Sequence, residues 1–199
     1  AEKHINPYPQ DGSGYTAIIH QNRLYTGTSN GLFMAPLQAA EDLSFSKGNF
    51  SLVNNSKGQT WSLADINGKL LLGHHEGAFV INENNAVPIS TGPGYWNFLP
   101  VSDVFPSAKI ISGNYRGLKF LDYNNGGFAE AANIPDFIES ARFIAIDNAD
   151  NIWVSHPYHG VYKVTPDAGK QYRWKLYTDK DGLPSTLDNH IYKIKNEVL

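Results

Sequence analysis

Short apolar runs broken by tight polar turns recur along this chain, and four of them share one pattern. They read Arg23-Leu-Tyr-Thr-Gly-Thr-Ser-Asn-Gly-Leu32, Lys69-Leu-Leu-Leu-Gly-His-His-Glu-Gly-Ala78, Lys109-Ile-Ile-Ser-Gly-Asn-Tyr-Arg-Gly-Leu118 and Asn151-Ile-Trp-Val-Ser-His-Pro-Tyr-His-Gly-Val161. Each is an apolar strand, a Gly or Ser, a polar turn, and a glycine that opens another apolar strand. The second glycines, Gly31, Gly77, Gly117 and Gly160, fall about 40–46 residues apart, the length that one four-stranded propeller blade requires.

In the fourth repeat the pattern predicts strands over 142–147, 152–155, 161–164 and 171–177, with a hairpin turn at Asn148-Ala149-Asp150-Asn151, residues that tolerate positive φ. The second repeat has the same hairpin at Asn67-Gly68, between strands over 61–66 and 69–72. Continuous apolar runs such as Leu70-Leu71-Leu72 suit inner strands, and the alternation in Tyr172-Arg173-Trp174-Lys175-Leu176 suits a half-exposed outer one. No segment sustains a 3.6-residue period.

The expected fold is all-β: a β-propeller fragment of about four four-stranded antiparallel blades, near 13–55, 59–91, 95–134 and 141–178, with the start of a next blade at 189–199. Ile191-Tyr192-Lys193-Ile194 reads as the first strand of that fifth blade, with Leu199 where its second strand should begin. Such an array leaves open flanks, so the expected partners are the remaining blades of a larger propeller or a second copy in a homodimer. A small closed propeller of unusual blade number is the other reading.

Composition narrows the function classes. Hydrophobic residues make up 41% and charged ones 18%, which is the profile of a folded globular chain. Aromatics at 13% and 18 glycines favour half-buried pleated surfaces and many turns. The formal charge is −3 and Lys and Arg are scattered, so the basic stripe that nucleic-acid binding needs is missing. No apolar stretch approaches the roughly 18 residues that span a bilayer, and no membrane contact is expected of this chain. Ala1-Glu2-Lys3-His4 lacks the basic start and apolar run of a signal peptide, as a mature or excised extracytoplasmic segment would. With no Cys, thiol catalysis and thiolate metal sites are excluded.

A more specific likeness lies in the last third. Phe143-Ile-Ala-Ile-Asp-Asn-Ala-Asp-Asn-Ile-Trp-Val-Ser155, then Gly160-Val-Tyr-Lys-Val164, Tyr177-Thr-Asp-Lys-Asp-Gly-Leu-Pro-Ser185 and Asn189-His-Ile-Tyr-Lys-Ile194 resemble the two-component regulator propeller repeat. The Gly182-Leu183-Pro184-Ser185 ahead of Asn189 is its most distinctive part. The resemblance covers roughly residues 142–194. The earlier repeats replace Gly-Leu-Pro with Asn55-Ser56-Lys57-Gly58, Thr91-Gly92-Pro93-Gly94 and Ile134-Pro135-Asp136, and their second strands have no counterpart of Trp153. It implies the periplasmic sensor region of a hybrid two-component system controlling polysaccharide use, in a parent with a membrane span, a histidine kinase and usually a DNA-binding regulator. Signalling would then be a population shift between arrangements of paired propellers.

Candidate ligand chemistry sits on loops. In an up-and-down blade the turn after the second strand and the link to the next blade emerge on one face, and loops on a rigid scaffold are where binding residues collect. The turns supply Ser29-Asn30, His74-His75-Glu76, Asn114-Tyr115-Arg116 and His156-Pro157-Tyr158-His159; the links supply 57–61, 91–96, 136–142 and 180–189. Trp61, Tyr95 and Trp96 are candidates to stack on sugar faces, and Arg116 and Arg142 to grip a uronate carboxylate. His75, Tyr115, Tyr158 and His159 complete the candidate oligosaccharide contacts. Equally, Trp61 and Trp96 can be core aromatics at strand starts, and Arg142 can merely anchor its link to backbone carbonyls.

No metal or other cofactor is expected. His74 and His75 are adjacent on extended chain and point apart; His156 and His159 can meet around a turn, with no acidic partner fixed by sequence. No Ser–His–Asp signature, phosphate loop or paired carboxylates mark an enzyme. A lactonase-type propeller hydrolase is the rival, since 147–155 and 161–169 also resemble its repeats. Its cation needs acids on the inner strands, and Tyr25-Thr26, Leu71-Leu72, Ile111-Ser112 and Trp153-Val154 supply none. A protein-interaction propeller is the third reading.

Overall fold

The structure is a computed structural model that describes residues 12–37, 50–101, 110–167 and 171–199. Parts of the sequence reading at Ala1–His4, at 38–49 in the first blade, at Lys109, and at Ala168-Gly169 lie outside the described residues.

The chain divides into two compact units, Ala1–Thr91 and Gly92–Leu199. The first unit holds two antiparallel four-stranded sheets. One runs β1 (Gly14–His20), β2 (Arg23–Thr28), β3 (Gly31–Pro36), β4 (Ser51–Leu52); the other runs β5 (Thr60–Ile66), β6 (Lys69–His74), β7 (Gly77–Asn82), β8 (Asn85–Ser90). The second unit repeats the plan with β9 (Leu99–Pro100), β10 (Ile110–Gly113), β11 (Leu118–Asn124), β12 (Gly127–Asn133) and with β13 (Phe143–Ile146), β14 (Ile152–His156), β15 (Gly160–Pro166), β16 (Tyr172–Tyr177). In every sheet the strands lie in chain order, which is the up-and-down blade the repeat predicts.

The end of the chain departs from the expected single strand. A hairpin pairs β17 (Lys193–Ile194) with β18 (Glu197–Val198), and Tyr192 and Leu199 exchange both backbone bonds outside it. Lys195, at φ 55°, turns the chain between them. The second strand of this element therefore forms before Leu199.

Each unit has its own core. In the first, Tyr25, Leu32, Val53, Leu70, Leu72 and Ile81 pack together with Ile18, Met34, Leu63 and Phe79. In the second, Ile111, Leu118, Phe120, Phe137, Ile152, Val154 and Val164 form the centre. Each fully buried Leu or Ile contributes about 1.5–3 kcal/mol relative to exposure, so within the first unit β6, and within the second β10 and β14, help hold that unit's own two sheets together.

The repeat's spaced residues have a shared job. The last side chain before each turn accepts the backbone N–H two residues on: Thr28 Oγ1 from Asn30 at 3.1 Å, His74 Nδ1 from Glu76 at 3.1 Å, Asn114 Oδ1 from Arg116 at 3.2 Å, and His156 Nδ1 from Tyr158 at 3.0 Å. A side-chain acceptor thus closes each turn as an Asx-type cap does. The glycine that follows then passes under the end of the blade's outer strand. A Cβ at Gly77 would overlap the Ser90 carbonyl oxygen, and one at Gly160 the Tyr177 carbonyl oxygen.

Candidate functional site

The turn and link loops do meet. Gly58 N–H donates to Asn30 O, His75 N–H to Gln59 O, Tyr115 N–H to Gly94 O, Gly117 N–H to Glu139 O and Ala141 N–H to Asn114 O. The side chains that these loops present form separate clusters.

In the second unit, rings and one cation make a half-exposed strip. Trp96 lies against Tyr115 with centroids 4.9 Å apart, and the Arg142 guanidinium carbon sits 5.5 Å from the Trp96 ring and 5.4 Å from the Phe143 ring. Phe143 in turn packs on His190 at 4.3 Å, and His190 Nδ1 lies 3.1 Å from the Tyr192 hydroxyl. Asn97 holds the strip's backbone. Its amide donates to Arg142 O at 3.1 Å while its carbonyl accepts from Gly113 N–H at 3.0 Å. Rings half open to solvent beside a cation suit a polyhydroxylated ligand, whose C–H faces stack while its oxygens bond.

A second cluster, in the same unit, centres on Glu139. Its Oε2 lies 3.3 Å from His159 Nδ1 and 3.5 Å from His156 Nε2, and its carboxylate also takes the Tyr162 hydroxyl. Burial, then the Glu139 charge and that hydrogen bond, push the Tyr162 pKa up to about 12. Burial and the neighbouring His159 hold His156 below the ordinary histidine range, against the pull of Glu139.

Glu139, His156 and His159 bring ligand atoms within 4.8 Å of one another, yet the arrangement does not suit a metal ion. The two imidazoles stack in parallel at 3.9 Å and 7°, so their in-plane lone pairs do not converge. His156 Nδ1 accepts from the Tyr158 and His159 amides, which puts the neutral ring's proton on Nε2, facing Glu139. The cluster is a hydrogen-bond hub.

The first unit has a smaller counterpart. Tyr15 packs on Trp61 at 5.4 Å and its hydroxyl accepts from Gln59. Ser29, Asn30, Phe33, Leu52, Lys57 and Gly58 line an open cleft of about 410 Å³. His74 is buried, and desolvation lowers its pKa against the charge of Glu76 and the carbonyls of Gly58 and Lys57.

The acids of the first strands are committed. Asp65 of β5 pairs with His20 at 2.7 Å. Asp147, just past β13, accepts from the Ala149 and Asn151 amides, the Asn151 side chain and Trp153 Nε1. Those bonds outweigh its desolvation and hold the carboxyl below the usual range.

No protein-family model matches the chain, and no curated protein does. Solved structures do match. The chain is similar over 99% of its length to the extracellular domain of the putative hybrid two-component system BT4673 from B. thetaiotaomicron, with a TM-score of 0.69 at 13% identity and 27% of that domain covered. The chain thus shares the fold of part of that extracellular domain. A second structure of the BT4673 ectodomain, described as a putative one-component system, gives 0.66 at 15% identity, with 99% and 27% covered. The ectodomain of the putative hybrid two-component system BT3049 of the same organism gives 0.58 at 16% identity, with 94% and 25% covered. The chain thus spans about a quarter of the length of these ectodomains. Among the described residues, no helix is long and apolar enough to cross a membrane.

The residues singled out from sequence fall into different local surroundings. Trp96, Tyr115 and Arg142 come together in the strip, and Arg116 is exposed beside Tyr115. His159 belongs to the Glu139 hub, and Tyr158 stands next to it, 71% exposed. Trp61 and the exposed His75 lie in the first unit. Tyr95 is a correction: its ring is wholly buried and stacked with Phe98, so it has no face for a sugar. It precedes Trp96 on extended chain, where neighbouring side chains point oppositely.

Sequence reading missed Phe143 and His190, which lie in strand and link contexts and acquire a surface role only through packing. It also missed Glu139. The signal available was its place in the 136–142 link opposite the His156–His159 turn.

Proposed function

We propose that this chain is a non-catalytic segment of the periplasmic sensing propeller of a hybrid two-component system, and that it recognises an oligosaccharide. The observation that carries the first half is the match of 99% of the chain to a two-component ectodomain at a TM-score of 0.69. The second half is supported by the Tyr115–Trp96–Arg142–Phe143 strip, which offers ring faces and a cation at a loop surface. Its non-catalytic character is supported by the engagement of Asp65, Asp147 and Glu139 with protein donors. Binding would favour one arrangement of the parent's paired propellers and so bias its kinase.

A thermal-shift screen of the purified chain against plant and host oligosaccharides tests this, with Ca²⁺, Zn²⁺ and EDTA as controls. Ligand binding to the native state raises the melting temperature by mass action. A rise with one glycan class, lost in Trp96→Ala, is the expected result. A rise with a divalent cation that EDTA reverses would favour the lactonase-type chemistry instead.

A further inference from the structure

Arg142 occupies a position that elsewhere carries an aromatic ring. In β1 and β5 the strand kinks just before the partner of the second strand's glycine, and the residue at the kink is Tyr15 before the Thr16–Gly27 pair and Trp61 before the Ser62–Gly73 pair. In the third repeat Trp96 holds this place, its N–H bonded to Gly113 O. In the fourth it is Arg142, before the Phe143–Ser155 pair. Tyr15 packs on Trp61 in the first unit; Arg142 packs on Trp96 in the second.

Three features set this guanidinium apart from an ordinary surface arginine. Its main chain is pinned by Asn97, and the preceding Ala141 N–H is bonded to Asn114 O. Two ring faces hold its head group, which lowers the conformational entropy lost when it binds something further. Among the described residues it has no carboxylate partner, although Glu139 lies three residues away on the same link. Glu139 is turned instead to His156, His159 and Tyr162. The link thus turns Glu139 to the hub, keeps Asp136 exposed at its start, and leaves its cation exposed in the strip. A held, uncompensated guanidinium presents a planar fork of donors that matches a carboxylate bidentately.

Building on the oligosaccharide reading, we propose that Arg142 is the specificity determinant of the strip and selects a uronate, the ligand's carboxylate meeting Arg142 while an adjacent sugar stacks on Trp96. Sulfate esters offer related anionic oxygens, and the test separates them. Oligogalacturonates, oligoalginates and chondroitin sulfate oligosaccharides are titrated calorimetrically against the chain, each beside its carboxyl-reduced counterpart. The reduced chondroitin derivative keeps its sulfates.

The expected result is at least one uronate binding about tenfold or more tighter than its reduced form, as a charge-assisted pair provides. In Arg142→Met that ratio falls towards one, and Arg142→Lys restores part of it; unchanged melting temperatures show that both variants are folded. A ratio that survives Arg142→Met overturns the assignment to Arg142. A preference kept by the reduced, sulfated oligosaccharide overturns the carboxylate. Equal or tighter binding of neutral glycans overturns the inference while leaving the oligosaccharide reading standing, whereas binding of no glycan overturns both.

Discussion

The two units use one backbone position for different chemistry. One residue before the partner of the second strand's glycine or serine, the first unit sets Tyr15 against Trp61, a neutral aromatic pair. The second sets Arg142 against Trp96 and Phe143. The turns beside these positions are built alike in both units, with Thr28, His74, Asn114 and His156 accepting the amide two residues on. What the scaffold displays at this position differs. Similar caps in both units thus coexist with different residues at this position, so recognition can change there without a change in the caps.

The largest effect should come from attacking the shared architecture. Gly77→Val and Gly160→Val each drive a side chain into a carbonyl and should destabilise by about 3 kcal/mol or more, read as a lowered urea midpoint. A wild-type midpoint in either would mean that the two turns are not equivalent.

Next is the difference in display. Trp96→Ala should weaken the best glycan of the screen at least tenfold, about 1.4 kcal/mol, and Trp61→Ala less than twofold. Equal losses would erase the distinction between the units.

The caps come third. His74→Ala and His156→Ala should each cost about 1 kcal/mol, a typical buried hydrogen bond, and His→Asn at either site should recover most of it because Asn114 already fills the equivalent place. These histidines also set a pH dependence. Both have native pKa values below the ordinary 6.5, so the unfolded chain binds more protons below that pH. Stability should therefore fall as pH drops below about 6.5, and the double Asn variant should flatten the melting-temperature profile over that range.

The smallest effect is local to the hub. Glu139→Gln should move the Tyr162 titration down from about 12 towards the ordinary tyrosine range, seen by ultraviolet difference spectroscopy.

Much of the fold was legible because its signals are local. Gly31, Gly77, Gly117 and Gly160 mark each blade, and Asn67-Gly68 and Asp150 mark hairpin turns that need positive φ. The kinks were not legible, because a bulge depends on the partner strand's register. For the same reason Tyr95 and Trp96, adjacent in sequence, looked alike as candidates and ended on opposite sides of the chain. His156 had the composition of a metal ligand and the position of a cap. The capping bonds, repeated by Thr28 and Asn114, and the parallel stacking on His159 distinguish the two roles.

The sequence by itself determined the blade repeat, the strand order and the loops that face one another, since these follow from period, turn chemistry and short connections. Tertiary structure decided which loop side chains share a surface. It turned Glu139 to the histidines and left Arg142 on two rings, because carboxylate and guanidinium partners are chosen by geometry across strands that sequence spacing does not encode.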